Sequence, residues 1–170
     1  MRILTLIGAL AVIGAIAAAV FFFGGYFSVA ATEQDPRIVA WILEEVREAS
    51  ISHHATDKAP ANLGDATMVQ AGAKAFASRG CVNCHGGPGA TWAKFSEGLN
   101  PSPPDLKDVV GGLQPSELFW VVRNGIKMTG MPSFSAVGVP DPELWQIVAF
   151  LKKLPSVSDS DFKTWTASTQ

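Results

Sequence analysis

Apolar residues recur at helical spacing in three segments between residues 66 and 154. In the first segment Asp65 is placed to cap a helix, and Gly80 is placed to end it. Small or apolar residues then fall at i, i+3, i+4 and i+7, at Val69, Gly72, Ala73 and Phe76. This spacing predicts an amphipathic helix rather than a strand.

Two further helices follow from the same pattern. The second begins at Pro115, a residue suited to a first helical turn, and stops at Gly125. The third begins with Asp141 as N-cap and Pro142 at the first helical position, and it ends before Pro155. The apolar positions of the two helices are Leu118, Val121, Val122, Leu144, Ile147, Val148 and Leu151.

The N-terminus carries a long apolar segment, residues 3–23, without a single charge. A signal-peptide core is about 7–15 residues long, whereas a membrane-spanning helix needs about 20. The length therefore favours an uncleaved anchor, although Ser28-Val29-Ala30 resembles a cleavage site. Arg2 precedes the segment, and residues 32–61 carry three basic and six acidic side chains. This asymmetry places the N-terminus in the cytoplasm and the rest of the chain outside.

Residues 35–54 form a second patterned region, between the anchor and the three helices. The pattern predicts an amphipathic helix with apolar positions at Ile38, Trp41, Ile42, Val46 and Ala49. Such a helix could lie on the membrane, dock on another subunit, or pack on the following domain as a spacer. We expect His53 and His54 to be solvated. The predicted organisation is an anchor in 1–31, this helix and a linker in 32–61, and one domain in 62–170.

The run Cys81-Val82-Asn83-Cys84-His85 contains the two cysteines of the chain. A CxxCH run is the arrangement for covalent attachment of haem c, in which each thiol bonds a vinyl group and the histidine reaches the iron. A disulfide would not need His85. A zinc site would need two further ligands, for which only His53 and His54 remain. The sequence therefore predicts one covalently bound haem c on Cys81 and Cys84, with His85 as iron ligand.

The second axial ligand is expected from the segment that contains Met128 and Met131. Met131 is the better candidate, because Gly130 lets the backbone pass close to a porphyrin and Pro132 stiffens the loop. A thioether ligand favours reduced iron and raises the potential. Two alternatives stay open here, namely Met128 as the ligand and Met131 as an ordinary core residue.

Residues 66–154 resemble a class I cytochrome c. The resemblance rests on the CxxCH run, on Gly130-Met131-Pro132 and on residues 148–153. It implies an all-α fold around one haem and the role of an electron carrier. It also implies that a proline carbonyl accepts the Nδ1 proton of His85, for which Pro104 is slightly preferred over Pro103. A bond of this kind orients the histidine and strengthens it as a ligand. The alternative is that Pro103 and Pro104 only stiffen the loop.

Four other residues are candidate cofactor contacts. Leu106 follows the proline pair, and Trp92, Trp120 and Arg123 could reach haem propionates. The alternatives are that the tryptophans are core residues and that Arg123 is a solvated surface residue.

From residue 62 onward the chain carries nine basic and nine acidic residues. A neutral domain has no basic run for nucleic acid. We therefore expect a membrane-anchored electron-transfer protein rather than an enzyme, with its haem domain in the periplasm of a bacterium. It would serve redox protein partners as a carrier or as a subunit of a respiratory or dehydrogenase complex. The alternative is a haem-based gas sensor or peroxidase with a labile sixth ligand.

Overall fold

The computed structural model describes residues 2–167, and among these residues it contains helices and no strand. The α-helices are α1 (Arg2–Phe23), α2 (Arg37–His54), α3 (Ala66–Ser78), α4 (Cys81–His85), α5 (Leu106–Val109), α6 (Pro115–Asn124), α7 (Asp141–Lys153) and α8 (Asp159–Thr166). Short 3-10 helices cover Lys94–Gly98 and Leu154–Ser156. The all-α expectation is confirmed.

The chain divides into two compact units, with the boundary between Gln34 and Asp35. In the first unit, α1 is long and apolar enough to cross a membrane, a test that a signal sequence also passes. None of its described residues is buried. Just beyond its end, the ring of Phe27 lies 5.4 Å from that of Phe22.

The second unit is built on the crossing of α3 and α7. A Cβ atom on Gly72 would lie only 1.8 Å from the carbonyl oxygen of Gln146, so the two backbones are in direct contact. Beside this point the rings of Phe76 and Phe150 lie 5.2 Å apart. The predicted inward faces of both helices are buried, which confirms the periodicity. Because only glycine lacks a Cβ atom, Gly72 permits the close approach.

The helix starts are close to their predicted positions. Asp65 occupies the N-cap position of α3, although its side chain makes no capping hydrogen bond. Pro115 is at the start of α6, where Gln114 and Glu117 form a capping box. Helix α7 begins one residue early, with Pro140 and not Asp141 at the N-cap position. The Asp141 carboxylate lies instead 3.2 Å from the Nε atom of Arg123.

The C-terminal segment is more tightly packed than its polar sequence suggests. Helix α8 buries Phe162, whose ring stacks on Phe150 at 5.5 Å and also contacts Phe76. Trp165 is partly buried against the same core. Two aromatic residues spaced i, i+3 give this short helix an apolar face that packs on the domain.

Helix α2 belongs to the second unit, which begins at Asp35. Its last turn packs on the domain, where Ile51 is buried and the ring of His54 stacks on that of Trp120 at 6.0 Å. Five large apolar residues of its first three turns are each between 47% and 67% exposed: Ile38, Trp41, Ile42, Leu43 and Val46. The unit therefore begins within the range 32–61, for which the sequence predicts a separate helix and linker.

Candidate haem-binding site

Helix α4 is a single turn that carries both cysteines and His85. Gly80 and Gly86 flank the turn with φ angles of +80° and +65°, a left-handed conformation that favours glycine. Cys81, Cys84 and His85 are related by i, i+3 and i+4, so their side chains share one side of the turn. All three are half-buried, and both thiols are free.

The environment of Cys81 is apolar. Its side chain packs against the hydrophobic core, and burial raises the pKa of this thiol to about 12. The thiol is therefore protonated at neutral pH, because the surroundings disfavour a charged sulfur. An uncharged thioether suits the same position.

His85 is oriented by the proline pair, as the resemblance implied. Its Nδ1 atom lies 3.0 Å from the carbonyl oxygen of Pro104, not of Pro103. Since a carbonyl can only accept, Nδ1 carries the proton and Nε2 keeps a free lone pair. The imidazole is therefore in the tautomer that a metal ligand requires. Its binding to iron stays a prediction.

The two candidate methionines have very different surroundings. Met128 is 95% exposed and adopts a φ angle of +59°. Met131 is half-buried and packs against the core. Gly125 directly follows α6 and lies close to the Met131 loop. A Cβ atom on Gly125 would lie 2.7 Å from the carbonyl oxygen of Met131. Gly125 therefore lets the loop fold back onto the helix end.

The remaining candidates lie at several places around the domain. Leu106 begins α5 and is partly buried against the core. Trp92 is half exposed, with its ring 3.6 Å from an ideal Cβ on Gly86, next to His85. Trp120 stacks on His54. The Arg123 guanidinium pairs with Asp141 and lies over the ring of Phe119. Their contacts with a cofactor stay predictions.

Sequence reasoning missed three sets of side-chain contacts in the domain. His54 was expected to be solvated, and it is exposed, but it also covers Trp120. Lys152 donates to the carbonyl oxygens of Val110 and Leu113, which ties α7 to the loop before α6. The hydroxyl of Thr129 bonds within the Met131 loop. Only the Thr-x-Met spacing could have suggested this last contact, since a threonine hydroxyl often bonds the backbone two residues on.

The donor set fits a covalently attached haem. It combines two free thiols on one face of a helical turn with an imidazole whose Nε2 is available. The third component is the thioether of Met131, on a loop whose backbone lies close to Gly125. Among the described residues, no buried polar side-chain atom lacks a hydrogen-bond partner. The buried polar side chains of this part of the chain are therefore satisfied without the cofactor, and ligation of its iron by His85 and Met131 stays a prediction.

The helical fold and the CxxCH turn together define a monohaem c-type cytochrome. The family model for subunit III of cbb3-type cytochrome c oxidase matches residues 67–151, which is half of the chain. The chain belongs to this family. No curated protein and no solved structure matches it.

Family membership settles the general chemistry. Haem c is the covalently bound cofactor, and Cys81 and Cys84 have the spacing that its attachment requires. The protein is a haem-based electron-transfer protein. The expected class I cytochrome c fold is confirmed by the match and by the helical structure. The N-terminal helix is compatible with membrane anchoring, and redox partners in a membrane complex fit the family.

Proposed function

We propose that the protein transfers single electrons through a haem whose iron is held by His85 and Met131. When bound, the haem supplies an iron that alternates between the ferric and ferrous states. The observation that carries the proposal is the hydrogen bond from His85 Nδ1 to Pro104, which leaves Nε2 free to bind a metal. The half-buried position of Met131 supports the thioether as the opposite ligand.

The matched variants Met131→Ala and Met128→Ala test this assignment. We expect Met131→Ala to lose the sulfur–iron charge-transfer absorption of the ferric protein and to lower the reduction potential, because a soft ligand to ferrous iron is lost. Met128→Ala should change neither property, since Met128 is 95% exposed. The reverse pattern would assign Met128 as the ligand. A wild-type spectrum without the sulfur band, together with binding of CO, NO or peroxide, would support the sensor or peroxidase alternative.

We further propose that α1 remains as a membrane anchor and that the haem domain lies in the periplasm. The length of α1 supports the anchor, and Arg2 at its N-terminal end supports this orientation. The mature protein should then keep its N-terminal residues and resist extraction from membranes by high salt. N-terminal sequencing that begins at Ala31 or Thr32 would show a cleaved, soluble cytochrome instead.

The exposed apolar residues of α2 support a role as a subunit of a membrane oxidoreductase complex rather than as a free carrier. Glu44, Glu45 and Glu48 lie on the same helix and would disfavour contact with an anionic bilayer, so a protein partner fits this helix better.

The double variant Trp41→Ser/Ile42→Ser should reduce migration of the protein with a larger complex on native gels, with the haem spectrum unchanged. Val137→Ser is the matched control, because Val137 is 71% exposed in a loop outside α2. Migration of both variants with the complex would show that α2 is not the docking surface, and a wild-type protein that migrates alone would argue for a free carrier.

A further inference from the structure

A closed hydrogen-bonded loop precedes and includes Met131. The Thr129 hydroxyl donates to the carbonyl oxygen of Ile126 at 2.8 Å and accepts from the backbone N–H of Met131 at 3.1 Å. The N–H of Ile126 donates to the carbonyl oxygen of Met131 at 3.2 Å. Both backbone polar groups of Met131 are thus held inside this loop, and Thr129 is the side chain that bridges it.

The loop is held in a conformation that its own residues do not favour. Met128, at its tip, adopts a φ angle of +59°, a left-handed conformation that is sterically unfavourable for a residue other than glycine. Met128 is exposed and gains little from packing. The strain must therefore be offset by contacts elsewhere in the loop, which is closed by the two bonds of Thr129 and by the backbone bond between Ile126 and Met131.

The chain after Met131 is anchored separately. The carbonyl oxygen of Arg123, at the end of α6, accepts from the hydroxyls of Ser133 and Ser135 at 2.8 Å each. It also accepts from the backbone N–H of Ser135 at 3.1 Å. This anchor is redundant, because two donors remain when one hydroxyl is removed. The Thr129 bridge has no such duplicate at Met131 N–H among the hydrogen bonds of the described chain.

We propose that Thr129 is a positioning residue for the axial thioether: its hydroxyl fixes the backbone of Met131 and so holds the sulfur at the iron. This proposal rests on the proposed ligand role of Met131. Without the hydroxyl, the Met131 N–H loses its partner and the loop opens more often. The thioether then competes less well with other ligands for the same coordination position.

The test uses the purified holoprotein and imidazole as competing ligand. Thr129→Val keeps the shape of the side chain and removes the hydroxyl, whereas Thr129→Ser keeps the hydroxyl. We expect the imidazole dissociation constant to fall about tenfold in Thr129→Val, consistent with one part-buried hydrogen bond. The reduction potential should fall as well. Thr129→Ser should behave like wild type, and so should Ser135→Ala, the control for removal of a redundant hydroxyl.

Two outcomes would overturn the proposal, and they are distinguishable. If Thr129→Val lowers thermal stability but leaves imidazole affinity and potential unchanged, Thr129 is only structural. If Met131→Ala itself leaves imidazole affinity and the sulfur–iron band unchanged, the ligand assignment fails and the proposal falls with it. Should Thr129→Val not accumulate, Thr129→Ala removes the same hydroxyl with a smaller side chain and is judged by the same measurements.

Discussion

Helices α2 and α7 have similar apolar patterns and very different surroundings. In α7, Leu144, Ile147 and Val148 are at most 1% exposed. In α2, Ile38 and Val46 are 67% and 60% exposed. The difference lies in the partner: α7 crosses α3 at Gly72, where the backbones touch, whereas α2 contacts the domain through its last turn. Periodicity therefore predicts which face is apolar, and it does not predict what covers that face.

The largest loss of stability is expected where α8 packs against α7. Phe162→Ala should destabilise the domain by about 3–5 kcal/mol, because a fully packed aromatic side chain is replaced by a cavity. Phe162 is 5% exposed and stacks on Phe150. Urea unfolding measures the change, with Phe162→Leu as a milder variant. A loss below about 1 kcal/mol would mean that the tail is dispensable for the burial of α7.

A direct test of the α3–α7 crossing is Gly72→Ala. The added Cβ would meet the carbonyl oxygen of Gln146, so the helices must separate. We expect a loss of about 2–3 kcal/mol, although alanine favours a helix by about 1 kcal/mol. Gly111→Ala is the control, because its Cβ would meet nothing within 4 Å. Equal stability of the two variants would show that the contact at Gly72 does not decide which helix is buried.

The contact of α2 with the domain should contribute less to stability than the packing of α3, α7 and α8. Ile51→Val removes one methylene from the buried end of α2 and should cost about 1 kcal/mol. Ile51 is 9% exposed, at the edge of the core. Urea unfolding followed through Trp fluorescence would report the change. A loss as large as that of Phe162→Ala would mean that α2 is as integral to the domain as α8.

The smallest effect on stability is expected on the exposed side of α2. Ile42→Ser should change the free energy of unfolding by less than about 0.5 kcal/mol, because Ile42 is 47% exposed and its replacement leaves no cavity. The free energy of unfolding is measured by urea unfolding of the isolated protein, without any partner. A clear destabilisation would show that this side packs on the domain in solution, and the docking proposal would then fail.

Much of the candidate site could be predicted from the sequence because its residues are close together in the chain. Cys81, Cys84 and His85 share one turn, so their spacing alone places them on one side. The preference for Pro104 came from the resemblance, and the structure shows its carbonyl at His85. The stack of His54 on Trp120 could not be predicted, because a contact between distant residues leaves no local pattern.

The sequence by itself determined the covalent chemistry, the helical class and the apolar N-terminal segment, since spacing and composition act locally along the chain. Only the tertiary structure decided that Gly72 contacts Gln146, that Phe162 closes the core and that the Thr129 hydroxyl is shared between Ile126 and Met131. The reason is physical. Close packing and hydrogen bonding depend on which surfaces meet, and that is settled when the elements fold against one another.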